Sequence, residues 1–131
     1  KNVKIRLNYL VKPHPACPII SDDYPDFKFE VSNEPLSSLI DNCAFVYTSN
    51  RTSAAVDAYY LGKVVITAVD TSKLNFSPLR ESENTLFVSK SNELTDILNN
   101  FDNLKVGFGS QREDYFYLDL KLPRWELLLT A

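Results

Sequence analysis

Residues 44–67 constrain the fold more than any other stretch. Ala44-Phe-Val-Tyr47 is a short apolar run that fits a buried strand. Thr48-Ser-Asn-Arg-Thr52 is wholly polar, and Ser53 to Leu61 carries the helix formers Ala54, Ala55 and Ala58. Gly62 then stands where a helix C-cap glycine belongs. Val64 to Thr67 is β-branched throughout, as in a strand covered on both faces. Strand, polar turn, helix, glycine and strand make one βαβ unit. Its turn lies at the carboxyl end of a strand and the amino end of a helix, where open α/β sheets bind ligands.

The turn suits an anion. The first N–H groups of a helix lack intrahelical partners, and the helix dipole is positive there. Thr48, Ser49, Thr52 and Ser53 add hydroxyl donors, and Arg51 adds a charge. The same residues also suit plain capping by Thr52 or Ser53, with Arg51 in solvent.

Elsewhere the alternation of elements continues. Val3 to Val11 predicts a strand that runs into Lys12-Pro-His-Pro-Ala-Cys-Pro18. The prolines forbid helix there and stiffen the loop that carries His14. Phe27 to Val31 alternates with period two and predicts a second strand. Glu34 to Ile40 predicts a short helix with Pro35 at its first position. Residues 70–84 predict a long polar connection outside the core, with Asn75, Ser77 and Arg80 beside apolar anchors. Thr85 to Ser89 predicts a strand, and Ser91 caps a helix bearing Leu94, Ile97, Leu98 and Phe101 on one face. Lys105 to Ser110 reads as a turn, Tyr115 to Leu118 as a short strand or packed loop, and Pro123 as the start of a last helix. This order predicts an α/β fold: a Rossmann-like parallel sheet with helices on both faces.

Composition excludes several functions. The 131 residues suffice for one domain with a core, residues 1–131. Net charge is −3 with no clustered basic face, which argues against nucleic acid as a partner. No apolar run is long enough to span a membrane, and Cys17 and Cys43 have neither CxxC nor metal spacing. One histidine and three glycines leave no multi-histidine metal site, no GxGxxG and no Walker A loop, so no metal or cofactor is expected. The cysteine usage predicts free thiols in a cytoplasmic setting. With no initiator methionine and an immediate strand, the chain reads as a domain excised from a larger two-domain protein.

Lys12-Pro-His-Pro15, Thr48-Ser-Asn-Arg-Thr-Ser53, Tyr60-Leu-Gly-Lys-Val-Val-Ile66, Leu74-Asn-Phe-Ser-Pro-Leu-Arg80 and Leu122-Pro-Arg-Trp125 together resemble the C-terminal half of GT-B fold glycosyltransferases. The nearest likeness is to bacterial surface-carbohydrate biosynthesis proteins. Related patterns occur in sialyltransferases, capsule Kdo transferases and teichoic acid glycerophosphate polymerases. The resemblance implies a nucleotide-sugar donor of CMP or CDP type, and a glycan or lipid-linked acceptor. The enzyme would build capsule, lipopolysaccharide or another surface polysaccharide. It would be cytoplasmic, or peripheral at the inner membrane, in the full-length protein. His14 and Pro15 would be the His-Pro motif that binds nucleotide and phosphate. Two of Thr48, Ser49, Thr52 and Ser53 would be its hydroxyl pair, with Arg51 and Arg80 as further phosphate contacts. Asp57, Asn75 and Ser77 would face the donor sugar or ribose.

Two departures stand out. Asp57 replaces the Glu many GT-B enzymes carry on this helix, and Gly62-Lys63-Val64 replaces the commoner Gly-Lys-Pro. The catalytic base would come from an N-terminal domain, so this piece alone would turn nothing over. Two alternatives are a UDP-sugar 2-epimerase-like isomerase, disfavoured by the glycine-free turn, and a non-catalytic domain of this fold that holds a partner protein.

Overall fold

The computed structural model describes residues 3–80, 82, 85–103 and 123–130. Its main sheet has three parallel strands, β3 (Phe45–Ser49), β4 (Val64–Ala68) and β5 (Thr85–Val88), in that spatial order. A separate parallel pair joins β1 (Leu10–Val11) to β2 (Glu30–Val31). The helices are α1 (Leu36–Asp41), α2 (Ala54–Tyr60) and α3 (Ser91–Asn99), with a further helix over Pro123–Thr130.

Alternation along the strands sorts the core into two layers. Val46 and Val65 point to one face, packing with Ile40 of α1, Ala55, Ala58 and Tyr59 of α2, and Leu79. Phe45, Val64, Ile66, Leu86 and Val88 point to the other, against Leu94, Ile97 and Leu98 of α3 and Phe101. Helices therefore cover both faces of the sheet, and the chain is α/β with parallel strands, compatible with the Rossmann-like expectation. Val65 and Ile66 have no exposure, because β4 is central and both its faces are covered. Burying such a side chain stabilises by roughly 1.5–3 kcal/mol.

Gly62 has φ 72°, in the left-handed region where a Cβ would clash. Its N–H reaches Tyr59 O at 2.9 Å, and the Lys63 N–H reaches Ala58 O at 3.0 Å, which closes α2 with a Schellman pair. This ending aims the chain straight into β4.

Several boundaries differ from the sequence reading. The Val3–Val11 strand narrows to Leu10–Val11, and Phe27–Val31 narrows to Glu30–Val31. Before β1 the chain serves the core instead: Val3 and Leu7 pack under α3, and Lys4 N donates to Asn99 Oδ1 at 2.7 Å. Pro35 is the N-cap of α1 rather than its first residue. Lys90, not Ser91, is the N-cap of α3. There Glu93 folds back to accept the N–H groups of Ser89 at 2.7 Å and Lys90 at 3.2 Å, just ahead of the first helical residue. Residues 70–84 are not wholly outside the core: Ser77 and Leu79 are fully buried and Ser82 nearly so. The readings at Lys105–Ser110 and Tyr115–Leu118 lie outside the described residues.

Candidate functional site

β3 runs two residues further than the sequence pattern indicates, and this changes the turn. Thr48 and Ser49 belong to the strand. Thr48 is in register with Thr67, on the α2 face with Val46 and Val65, and it is buried. Its hydroxyl lies 3.5 Å from that of Thr67, a contact at the long limit of hydrogen bonding. Ser49 faces solvent at the strand end. The turn proper is Asn50 to Ser53.

Within it, Thr52 rather than Ser53 assists the helix start. Thr52 Oγ1 accepts the Ala54 N–H at 3.2 Å, while Ser53 holds the N-cap position with helical φ and ψ and no side-chain cap bond. α2 has seven residues, so its dipole is a short one. Asp57 lies on its exposed side.

The turn meets the loop that follows β4. Asn50 Nδ2 donates to Leu74 O at 3.4 Å, and the Arg51 guanidinium lies over the Phe76 ring, 5.4 Å from its centroid. Two nested local turns shape that loop. Asn75 Oδ1 accepts the Ser77 N–H at 2.9 Å, and Ser77 Oγ accepts the Leu79 N–H at 3.2 Å, across Pro78. Leu79 then plugs the core between α2 and β4. Asn75 and Ser77, expected to face a donor sugar, spend side-chain oxygens on this backbone. Arg80 follows on the exposed side.

Between turn and loop opens a cavity of about 420 Å³, in the size range of small-molecule sites. Asn50 and Arg51 line it from the turn, Ala68 and Val69 from the end of β4, and Asp70, Lys73 and Leu74 from the loop. It therefore sits at the carboxyl ends of β3 and β4, where an α/β sheet places ligands. Asp70 is tightly held. Its Oδ1 accepts the Ser72 hydroxyl at 2.6 Å and the Ser72 N–H at 3.0 Å, and its Oδ2 meets Lys73 Nζ at 2.9 Å. The Ser72 hydroxyl first, then Lys73, holds this carboxyl well below the usual carboxylate range, so it stays ionised at any ordinary pH.

The predicted residues divide accordingly. The structure brings Arg51 to the cavity, while Thr48, Ser49, Thr52, Ser53, Asp57, Asn75, Ser77 and Arg80 are not among its lining residues. Thr48, Thr52, Asn75 and Ser77 instead make hydrogen-bond contacts within the fold. His14 and Pro15 are not among its lining residues. They occupy an exposed turn after β1, where Cys17 N donates to His14 O at 2.8 Å and Ala16 N donates to His14 Nδ1 at 3.1 Å. Nδ1 is thereby an acceptor, and the neutral ring carries its proton on Nε2. Sequence reasoning missed Asn50, Asp70 and Lys73. The available signal was Asp70-Thr-Ser-Lys73 directly after a buried strand, a turn-forming sequence at the ligand-binding end of a sheet.

A second cavity, of about 500 Å³, lies along residues 21–29 beside the exposed rings of Tyr24 and Phe27. Among the described residues no group of three or more His, Cys, Asp or Glu side chains is placed to hold a metal ion. Among them, too, no helix is long and apolar enough to cross a membrane. Comparison with protein-family models, with curated proteins and with solved structures returns no match for this chain.

Proposed function

We propose that the cavity at the ends of β3 and β4 binds the nucleotide part of a nucleotide-linked sugar donor, and that the chain is the donor-binding half of a glycosyltransferase of surface-carbohydrate synthesis. One observation carries this reading: Arg51 lines a cavity of about 420 Å³ at the sheet's carboxyl edge, with its guanidinium over the Phe76 ring. A guanidinium in cation–π contact with a ring is partly positioned before it meets a phosphate. The likeness of the 48–53 and 74–80 segments to glycosyltransferase motifs supports the same assignment: Asn50 and Arg51 of the first and Leu74 of the second line the cavity, and Phe76 lies beneath Arg51.

The chemistry asked of such a half is stabilisation of the leaving group. As the sugar–phosphate bond breaks, negative charge grows on the nucleotide phosphate. A fixed cation that meets this charge more strongly than the ground state accelerates the step. The acceptor and the group that takes its proton belong to the facing domain of the full-length enzyme. His14, on its separate turn, is assigned no part at this cavity.

The test is a chemical-shift titration of the chain with CMP, CDP, UDP and GDP. A cytidine nucleotide should move the amides of Asn50, Arg51 and Leu74 in a saturable manner, and Arg51→Gln should weaken it. If no nucleotide moves those amides at millimolar concentration, the reading is wrong.

A further inference from the structure

We propose that Lys73 is a second anion contact of this cavity, so that Arg51 and Lys73 grip one phosphate-bearing ligand from two loops, with Asp70 as the positioning residue for Lys73. The inference rests on the reading of the cavity as a nucleotide-donor site and adds its second contact.

The geometry makes the case. Arg51 and Lys73 come from different connections, one after β3 and one after β4, yet both line the same cavity. Each is held by a neighbour: Arg51 by the Phe76 ring, and Lys73 by Asp70 Oδ2 at 2.9 Å. The Ser72 N–H and hydroxyl hold the Asp70 carboxylate that Lys73 meets. An ammonium has three N–H donors, and the bond to Asp70 uses one. Among the charged side chains of the lining, one positive charge is left uncompensated. An anion in the cavity would meet that net positive charge. Arginine can meet phosphate oxygens in pairs while lysine acts as a point charge, a division suited to one phosphoryl group.

The salt bridge also joins two residues of one loop, as a staple would. Its side chains are 66% and 49% exposed, and pairs that open contribute little to stability. The test must therefore read binding. Inorganic phosphate, pyrophosphate and uncharged cytidine are titrated separately into the chain, with amide shifts as the readout. Phosphate and pyrophosphate should move Asn50, Arg51, Lys73 and Leu74. Lys73→Gln should weaken both anions about tenfold and leave any cytidine binding unchanged.

Asp70→Asn separates positioning from simple charge. If Asp70 orients Lys73, the variant binds pyrophosphate more weakly, by about threefold. If its charge merely repels the ligand, the variant binds more tightly, and the positioning role is overturned. Lys73→Gln titrating like the parent, or no anion moving these amides, overturns the two-cation grip. Binding of CMP that depends on Arg51 but not Lys73 removes this inference and keeps the donor reading. Anion binding that depends on Lys73, with no nucleotide bound, does the reverse.

Discussion

Arg51 lies over Phe76 with its guanidinium carbon 5.4 Å from the ring centroid, and this contact joins two connections separated in sequence by a helix and a strand. Phe76 is 54% exposed, too open for a core residue of its size. Its ring lies beneath the guanidinium of Arg51, which lines the cavity at the sheet edge.

Phe76→Ala should therefore act on binding more than on stability. An exposed cation–π contact contributes about 0.5–1 kcal/mol, so nucleotide affinity should fall roughly two- to fivefold. Paired measurements of Kd and of the urea midpoint check this. A large midpoint shift with unchanged Kd would assign Phe76 to packing.

Gly62→Ala tests the link between α2 and β4. The left-handed conformation at φ 72° costs a non-glycine residue about 1–2 kcal/mol. Equilibrium urea unfolding should register a loss of that size. Lys63→Ala, one residue on, should cost less, because its Nζ bond to Asp41 O at 2.9 Å is exposed.

Ser77→Ala and the threonine pair should behave in opposite ways. Ser77 is fully buried, and its hydroxyl satisfies the Leu79 N–H. Its loss leaves that donor unpaired and should cost about 1–3 kcal/mol. Thr48→Val with Thr67→Val removes both partners of a weak 3.5 Å contact and keeps their shape. That double variant should unfold within about 1 kcal/mol of the parent by calorimetry, since removing both partners of a buried pair is nearly neutral.

Glu93 makes the start of α3 sensitive to acid. The Ser89 N–H, and after it the Lys90 N–H and the Ser89 hydroxyl, lowers its carboxyl pKa in the folded state. A depressed folded pKa means that the unfolded chain binds the proton more readily. The contribution is complete above the ordinary glutamate value of about 4.3, and is lost as pH falls through the lower folded value. Melting curves of Glu93→Gln and parent should differ at pH 7 and converge toward pH 2. Curves that stay separated by a constant amount would place the effect elsewhere.

The central unit was legible in the residues because each signal there is local. An apolar run, a polar break, an alanine-rich helix, a glycine at its end and a β-branched strand dictate backbone angles and faces with no help from distant contacts. Gly62 and β4 stand where those angles require. The period-two alternation also sorts Val65 from Val64 and Ile66, so helices on both faces follow from the sequence.

The site was legible only in part. Arg51 was read as a turn residue, as it is, and the 74–80 segment was singled out, but not its contact with that turn. The sequence alone could not place Thr48 inside the sheet, because a threonine suits a strand end and a turn equally well. Burial settles that choice, through Thr67 beside it and Leu79 among the residues packed on that face. Nor could local pattern reveal that Asn75 and Ser77 hydrogen-bond their own loop, or that Asp70 and Lys73 border the same cavity as Arg51. The sequence by itself determined the central βαβ unit, β5 and the helices that flank them, since these depend on residues a few positions apart, but not the extents of β1 and β2. Only the tertiary structure decided which side chains surround the cavity and which support it, because packing between segments 20 and more residues apart fixes those positions.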